Sequence, residues 1–542
     1  MNGKRLFFFF LIGLGLALAA SLLLSTIKAR GVLRAAPPAW DAMGAASSHQ
    51  PGGIAVGGVI TQSTTWTQAD SPVTLIADVI VTDGVTLTIQ PGVQVLGNSG
   101  TQLQVRGHLE AVGSQPITMT SWANGGPGGW EGLVFLGGTG HLQHVVVRYA
   151  GQDNGVSYSS IAVRDVLTGE IRIESSQILS GSHYAFTDFG LDAANGRLIV
   201  RDTTFGYNGN SGADVAIRVQ AADLHRIELE GNVFQGNNLD RVRIVGGALQ
   251  GAADLPQQAT LEGYQLDSAM VVPAGMTLTI EPGVTVMGDY SAHIEIQGHL
   301  DAVGTPTLPI LFTSSADDGS GGWEGLYFQG GTGHLRYATV RYAGQSNGFV
   351  RAAVALRNVA DGQVRIEQSQ IISNAHGALG DYGLYVSNSR VRLDASTISW
   401  NGNSLADHGL YATAGSTVTL TRGRIEGNAG GGVTLADSQA TLTCTVVAEN
   451  ERHGIRLSGG AALIWSVTSS IYDNAGMGLE NLSSTLVDVR YNWWGDPSGP
   501  YHPTLNPTGL GNEVSDDVLF APWNQTPTCM FNSFVYLPTI ER

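Results

Sequence analysis

Residues 409–457 read GLYATAGSTVTLTRGRIEGNAGGGVTLADSQATLTCTVVAENERHGIRL, and what recurs inside this stretch decides the fold. Asn428 and Asn450 each follow an apolar residue by three positions (Ile425, Val447), another by eight (Leu420, Leu442) and a third by ten (Val418, Ala440). Apolar residues two apart, followed by a five-residue step to the next one, describe a short strand, a bend and a second short strand. After each Asn a Gly opens another alternation, Gly432-Val433-Thr434-Leu435 and Gly454-Ile455-Arg456-Leu457, which makes a third strand.

Working outward, the same frame fits Gly181, Asn208, Asn237, Asn374, Asn401 and Asn474, with neighbouring spacings of 27, 29, 27, 27, 22 and 24 residues along the anchors from 181 to 474. Three positions before these anchors stand Ile178, Phe205, Phe234, Ile371, Ile398 and Ile471, an unbroken apolar column. Three short strands per turn of 22 to 29 residues, with like residues at like places, predict an all-β solenoid, a parallel β-helix. One coil cannot bury its own apolar face, so coils must stack, about 4.8 Å apart, and pair every strand with its neighbours. The recurring Asn residues (208, 237, 374, 401, 428, 450, 474) then belong at a turn, where Asn tolerates left-handed backbone and bonds to adjacent turns. Their expected role is structural.

A longer repeat overlies the short one. TLTIQPGV begins at Thr86 and TLTIEPGV at Thr277, an offset of 277 − 86 = 191; GGWEGL begins at Gly128 and Gly321, and NGNS at Asn208 and Asn401, an offset of 193. The domain reading is therefore a first copy over 57–253 and a second over 254–490 with extra C-terminal coils. A cap follows over 491–525, with Trp493 and Trp494 as its apolar lid, and a tail over 526–542. The segment Gly246 to Glu262 either stacks between the copies or interrupts them. At the start, Asn2 to Arg5 precede the apolar run Leu6 to Leu24, an export signal long enough to remain as an anchor. This assigns 1–27 to a signal peptide or membrane anchor and 28–56 to a flexible spacer. The expected location is outside the cell or on its surface, with membrane contact only through the N-terminal apolar segment.

Composition narrows the function classes. The chain has 73 Gly in 542 residues and only 13% charged residues, with 45 acidic against 28 basic. Residues 1–35 hold five of the basic residues and no acidic one, so the remainder carries 23 − 45 = −22. Such a balance repels phosphate backbones, and nucleic acid is excluded as a partner. The only two Lys are Lys4 and Lys28, which removes P-loop and Schiff-base chemistry from the body.

The coil pattern, the openings GVTLTIQPGV and GMTLTIEPGV with their following GHLEAVG and GHLDAVG, and the closing YNWWGDPSGPYHP from Tyr491 carry a family likeness. Over about Val59 to Trp523 the sequence resembles exported bacterial right-handed parallel β-helix repeat proteins of the pectin-lyase-like superfamily. The resemblance implies right-handed coiling and a function on outward-facing residues. It does not choose between lyases, hydrolases, epimerases and binding proteins. The galacturonase-type combination of motifs is absent, so the likeness transfers no catalytic residue.

Two constellations remain as candidate sites. Asp407-His408 before Gly409 and Glu451-Arg452-His453 before Gly454 put a carboxylate beside an imidazole at equivalent places, suited to acid–base work, although Gly431 interrupts the patch in the coil between. Polar turn chemistry is the weightier reading of these four. Tyr385, Trp400, Tyr411 and Trp465 fall at outward or turn positions and are candidates for stacking on sugar. No metal and no cofactor are expected. Cys444 sits among outward residues, and either a bridge to Cys529 or two free thiols fits an exported chain. The expected function is a non-catalytic exported or cell-surface scaffold with polysaccharide or another surface as its partner. The alternative is a polysaccharide lyase, hydrolase or epimerase with its site on the lateral face of the second copy.

Overall fold

The strands Gln370–Ile372, Thr397–Ser399, Arg424–Glu426, Val446–Ala448 and Ser470–Tyr472 pair in parallel, each on the next. This places Ile371, Ile398, Ile425, Val447 and Ile471 in one column, each at most 1% exposed. Burying side chains of this size contributes roughly 1.5–3 kcal/mol each, which is why the apolar column and the stack form together. The computed structural model describes residues 53–529, apart from 184–186, 320, 361, 376–379, 461–462 and 484. The N-terminal segment 1–27, nearly all of the spacer 28–56 and the tail beyond Cys529 lie outside the described residues.

Each coil of the second half has three strands on three faces, for example Thr397–Ser399, His408–Thr413 and Thr417–Thr421. They are called here the first, second and third faces. The second and third faces stack as uninterrupted parallel sheets of ten and nine strands. In the first half some strands bend around corners: Ser159–Glu174 pairs with Phe189–Arg201 along two faces. The fold is a parallel β-helix with helix limited, among the described residues, to short 3-10 segments such as Gln68–Asp70 and Ala221–Arg226.

The segment 246–262 is itself a coil of the stack. Gly247–Ala248 pairs with Met270–Val272, and Ala253–Leu255 with Thr277–Ile280. Strand pairing crosses from one half to the other on one face only, through Arg241–Val245 and Gly263–Leu266, while the sheets of the second and third faces start at Gly247 and Ala253, so the halves join with a rotation. The outward column Ala162, Asp192, Arg218 runs through Arg243, Gln265, Met287 and Thr313. From there it reaches Arg341, Ile372 and Ser399 on the first face. Its counterparts 193 positions later, Ala355, Tyr385 and Tyr411, lie instead on the second face. Sequence-matched surfaces of the two halves thus point to different sides of the rod. At the other end, strand Ile54–Ile60 already pairs with Val73–Val81, so the stack begins three residues before position 57. Gly57 and Gly58 hide that strand by breaking its alternation.

Inside the turn after the first face runs a ladder of amide side chains. Each Asn donates through Nδ2 to the Oδ1 of the next: Asn374 to Asn401 (2.9 Å), Asn401 to Asn428 (3.0 Å), Asn428 to Asn450 (2.9 Å) and Asn450 to Asn474 (2.8 Å). Asn474 donates to Asn512 of the cap (3.0 Å). In the first half Asn208 donates to Asn237 (2.8 Å), which ends on Asp240 (2.6 Å). The GGWEGL motifs have a matching physical cause. Trp130 and Trp323 are fully buried, and their indoles fill the places where side chains at Gly97 and Gly288 would stand.

The cap closes the last coil with Trp494 (0% exposed) and Trp493 (7%), and strand Val487–Asp488 pairs with Val518–Leu519. Cys444 and Cys529 are bonded to each other across a separation of 85 residues. Chain-entropy reasoning gives a loop of this size about 4.5 kcal/mol. A Cys444→Ser/Cys529→Ser variant is expected to keep the stack but to lower the thermal midpoint of the last coils and cap. An unchanged melting curve would show that the bridge contributes nothing there.

Candidate functional site

On the second face of the second half, alternation sends Leu384, Leu410 and Val433 inward and Tyr385, Tyr411 and Thr434 outward, in register. A neighbouring column holds Tyr382, His408 and Gly431. A Cβ at Gly431 would lie 2.1 Å from His453 Nε2, so the imidazole of the following coil occupies that empty place. What reads in sequence as an interruption is what brings the two histidines together: their rings are 5.9 Å apart. Thr434 Oγ1 lies 3.1 Å from His408 Nδ1 and 3.1 Å from His453 Nε2. One hydroxyl can donate to one ring nitrogen and accept from the other, so it bridges two neutral imidazoles.

Burial decides their charge. His408 is 9% exposed and His453 2%. Desolvation lowers the His408 pKa to about 4, outweighing the opposing pull of Asp407, with Arg452 and Arg456 lowering it further. It lowers His453 to about 3, helped by His408 and the same two arginines. Tyr382 lies parallel to the His408 ring at 5.9 Å, and Tyr411 leans on it at 5.4 Å. Burial, then the neighbouring Tyr411 and Tyr385, push the Tyr382 phenol up to about 12.

Neither candidate carboxylate is hydrogen-bonded to this pair. Asp407 is fully buried, and Oδ1 accepts from the backbone N–H of Gly380 (3.1 Å) and Asp381 (3.0 Å). Its Oδ2 accepts from Asn403 and Ser404, both at 2.8 Å. It braces the turn. Glu451 is exposed, with its own N–H on Asn428 O (3.0 Å). Of the four candidates the structure brings together His408 and His453 only. It adds Thr434 and Tyr382, which sequence reasoning missed although both occupy columns defined by Tyr411 and His408. The pair can hold or pass a proton within the wall, and little of either residue reaches the surface.

The aromatic candidates separate onto different surfaces. Tyr385 and Tyr411 stack on each other, with centroids 5.7 Å apart and planes at 5°. Phe349 meets Tyr385 edge-on at 5.6 Å and stacks on Tyr327 at 5.4 Å. Rings that cover one another's faces present edges and hydroxyls outward, not platforms. Trp465 stands on the third face in register with Thr441, 49% exposed. Trp400 stands at the turn after the first face, in left-handed backbone (φ 56°) and 61% exposed. A Cβ at Gly427 would lie 2.7 Å from its indole, so the ring lies flat over a residue that must be glycine.

The sequence-matched face of the first half has different chemistry. The carboxylate of Asp192, fully buried, is held between Arg164 and Arg218, and Arg218 lies 4.5 Å over the Phe189 ring. Beside it is a cavity of about 350 Å³ whose lining includes Asp153, Tyr158, Phe189 and Arg218. Asp188, 1% exposed, has its carboxyl raised to about 7 by burial, with the Asp214 carboxylate adding to the rise and the His183 N–H opposing it. Among the described residues no three His, Cys, Asp or Glu side chains converge as a metal site.

Comparison with known proteins places two family signatures on the chain. Residues 324–493 match the right handed beta helix region, and residues 254–347 match the pectate-lyase like beta helix domain. None of the curated proteins matches the sequence. Among solved structures, the pectate lyase Pel9A is similar at 12% identity over 53% of this chain and 69% of that one, with a TM-score of 0.29. The A-module of the Azotobacter vinelandii mannuronan C-5 epimerase AlgE6 is similar at 11% identity over 82% of this chain and 91% of that one, with a TM-score of 0.21.

Proposed function

Because the chain is a pectin-lyase-like right-handed parallel β-helix protein, a scaffold whose function lies in its outward residues, we propose that it is a non-catalytic polysaccharide-binding rod. On this reading the protein works outside the cell or on its surface, where the N-terminal apolar run would deliver it. One contrast carries the proposal. The acid–base candidates of the second half, His408 and His453, are 9% and 2% exposed, whereas Trp400 and Trp465, suited to stacking on sugars, are 61% and 49% exposed.

The experiment is incubation of the protein with neutral and acidic polysaccharides, reading both retention and new reducing or unsaturated ends. The expected result is retention without products, unchanged in a His408→Gln/His453→Gln variant. Products that disappear in that variant would move the site to the buried pair and sink the binding reading.

The enzyme alternative has one observation in its favour, in the first half. Asp188, its carboxyl raised to about 7, sits between Thr187 and Phe189 of the cavity wall, and a carboxyl poised near neutrality suits general acid–base work. Turnover lost on Asp188→Asn, with retention intact, would decide for that reading.

A further inference from the structure

In successive coils the residue that follows the strand on the Phe205 or Ile398 column steps into left-handed backbone. In the first half these residues are Tyr149 (φ 58°), Ser180 (52°) and Tyr207 (57°); in the second they are Tyr342 (58°), Ser373 (55°) and Trp400 (56°). Each set is one ridge, because the strands before them pair in register, Arg148 to Leu179 to Gly206 and Arg341 to Ile372 to Ser399. An aromatic ring, a serine and an aromatic ring therefore follow one another along the rod in both halves.

The upper ring of each ridge rests on glycine. Trp400 covers Gly427, and Tyr207 covers Gly236, where a Cβ would come within 2.9 Å of the phenol ring. The lower ring of each is backed by the preceding arginine, Arg148 at 5.1 Å from the Tyr149 centroid and Arg341 at 4.9 Å from that of Tyr342. Two coils separate the rings, which at the spacing of paired strands is about 10 Å. That distance is close to two sugar units of an extended, ribbon-like glycan, whose flat apolar faces recur with that period. The body's charge of 23 − 45 = −22 beyond residue 35 opposes acidic polymers and favours a neutral chain.

The two ridges do not line up. The face of Asp192 and Arg218, which borders the first ridge, continues into the first face of the second half. The second ridge therefore runs along another corner of the three-sided coil. Resting on the polysaccharide-binding reading above, we propose that each half holds its own neutral, ribbon-like glycan chain, on Tyr149 and Tyr207 in one and on Tyr342 and Trp400 in the other. One molecule would then bridge two polymer chains instead of tracking along one.

The test is titration of the full-length protein with cellohexaose, a soluble neutral ribbon, followed by mixing with cellulose microfibrils to read bridging as sedimenting aggregates. Two equivalents of cellohexaose per chain are expected. Trp400→Ala and Tyr207→Ala should each remove one, weakening it at least tenfold, and each should abolish bridging while leaving retention on the fibrils. Polygalacturonate should bind more weakly than cellohexaose, and the reverse order would overturn the neutral class. A single equivalent, lost on Trp400→Ala alone, would overturn the two-chain inference. Retention lost on Tyr385→Ala/Tyr411→Ala but untouched by the ridge variants would overturn the ridges and leave the binding reading standing. Binding to no polysaccharide of any class would overturn that reading itself.

Discussion

Replacing Asn428 with alanine is expected to cost about 3–5 kcal/mol of stability in the coils around it, since each buried group left without a partner costs about 1–3 kcal/mol. Asn428 Oδ1 accepts from the backbone N–H of Asn401 (3.1 Å) and from its Nδ2 (3.0 Å). Its own Nδ2 donates to Ile398 O (3.2 Å) and Asn450 Oδ1 (2.9 Å). Alanine leaves the Asn401 N–H and the Ile398 carbonyl without this partner in a turn where Asn401, Asn428 and Asn450 are all fully buried. A rung at the end of the ladder should matter less. The lowest rung of the second half carries Ala343, whose N–H simply donates to Asn374 Oδ1 (2.9 Å). In a solenoid the loss falls on the interfaces with neighbouring coils, so hydrogen exchange should quicken first in Thr397–Ser399, Arg424–Glu426 and Val446–Ala448. Protection there within a few tenths of a kcal/mol of the parent would show that the ladder is dispensable.

Periodicity explains which of these features could be read before the structure. Asn208, Asn401 and Asn428 share one spacing with the apolar column beside them, and a repeated pattern of that kind admits one stacking solution. Asn512, which caps the same ladder, follows Asn474 by 38 residues and so escapes the period. The candidate site was legible as far as equivalence of place goes: His408 and His453 precede the same Gly in their coils. Contact was not legible, because it depends on Gly431 having no side chain and on Thr434 lying between the rings. Asp407 stands next to His408 in sequence, yet its oxygens are committed to backbone N–H groups of its own loop and of the preceding coil, a choice no spacing reveals. The aromatic residues could have been sorted by place in the coil. Trp400 directly precedes the turn Asn, Tyr411 lies in the strand after it, and Trp465 lies on the strand before the next bend. The rotation of one half against the other lay beyond the sequence, since an offset of 193 residues does not say which face stacks on which.

Acid is expected to act on the two halves in opposite directions. An imidazole exposed in the unfolded chain titrates near 6.5, whereas folding holds His408 near 4 and His453 near 3. Between those values the unfolded state binds more protons, so stability falls as pH drops through about 6.5 and is complete only above it. At 1.4 kcal/mol per unit, lowering the pH from 7.5 to 5 removes about 2 kcal/mol for each imidazole, or about 4 kcal/mol for the pair. Asp188 has the opposite sign, because its folded value near 7 lies above the unfolded carboxyl. There the folded state binds more protons, and the same change of pH stabilises the surrounding coils by about 2–3 kcal/mol. Hydrogen exchange corrected for its intrinsic pH dependence, and resolved by segment, reads both effects at once. Protection should fall in His408–Thr413, Gly431–Ala436 and Ile455–Ser458, and rise in Phe189–Arg201 and Val215–Gln220. The His408→Gln/His453→Gln variant should abolish the first change and leave the second. Parallel loss in both halves, surviving that substitution, would mean that acid acts through the many surface carboxylates and not through these buried groups.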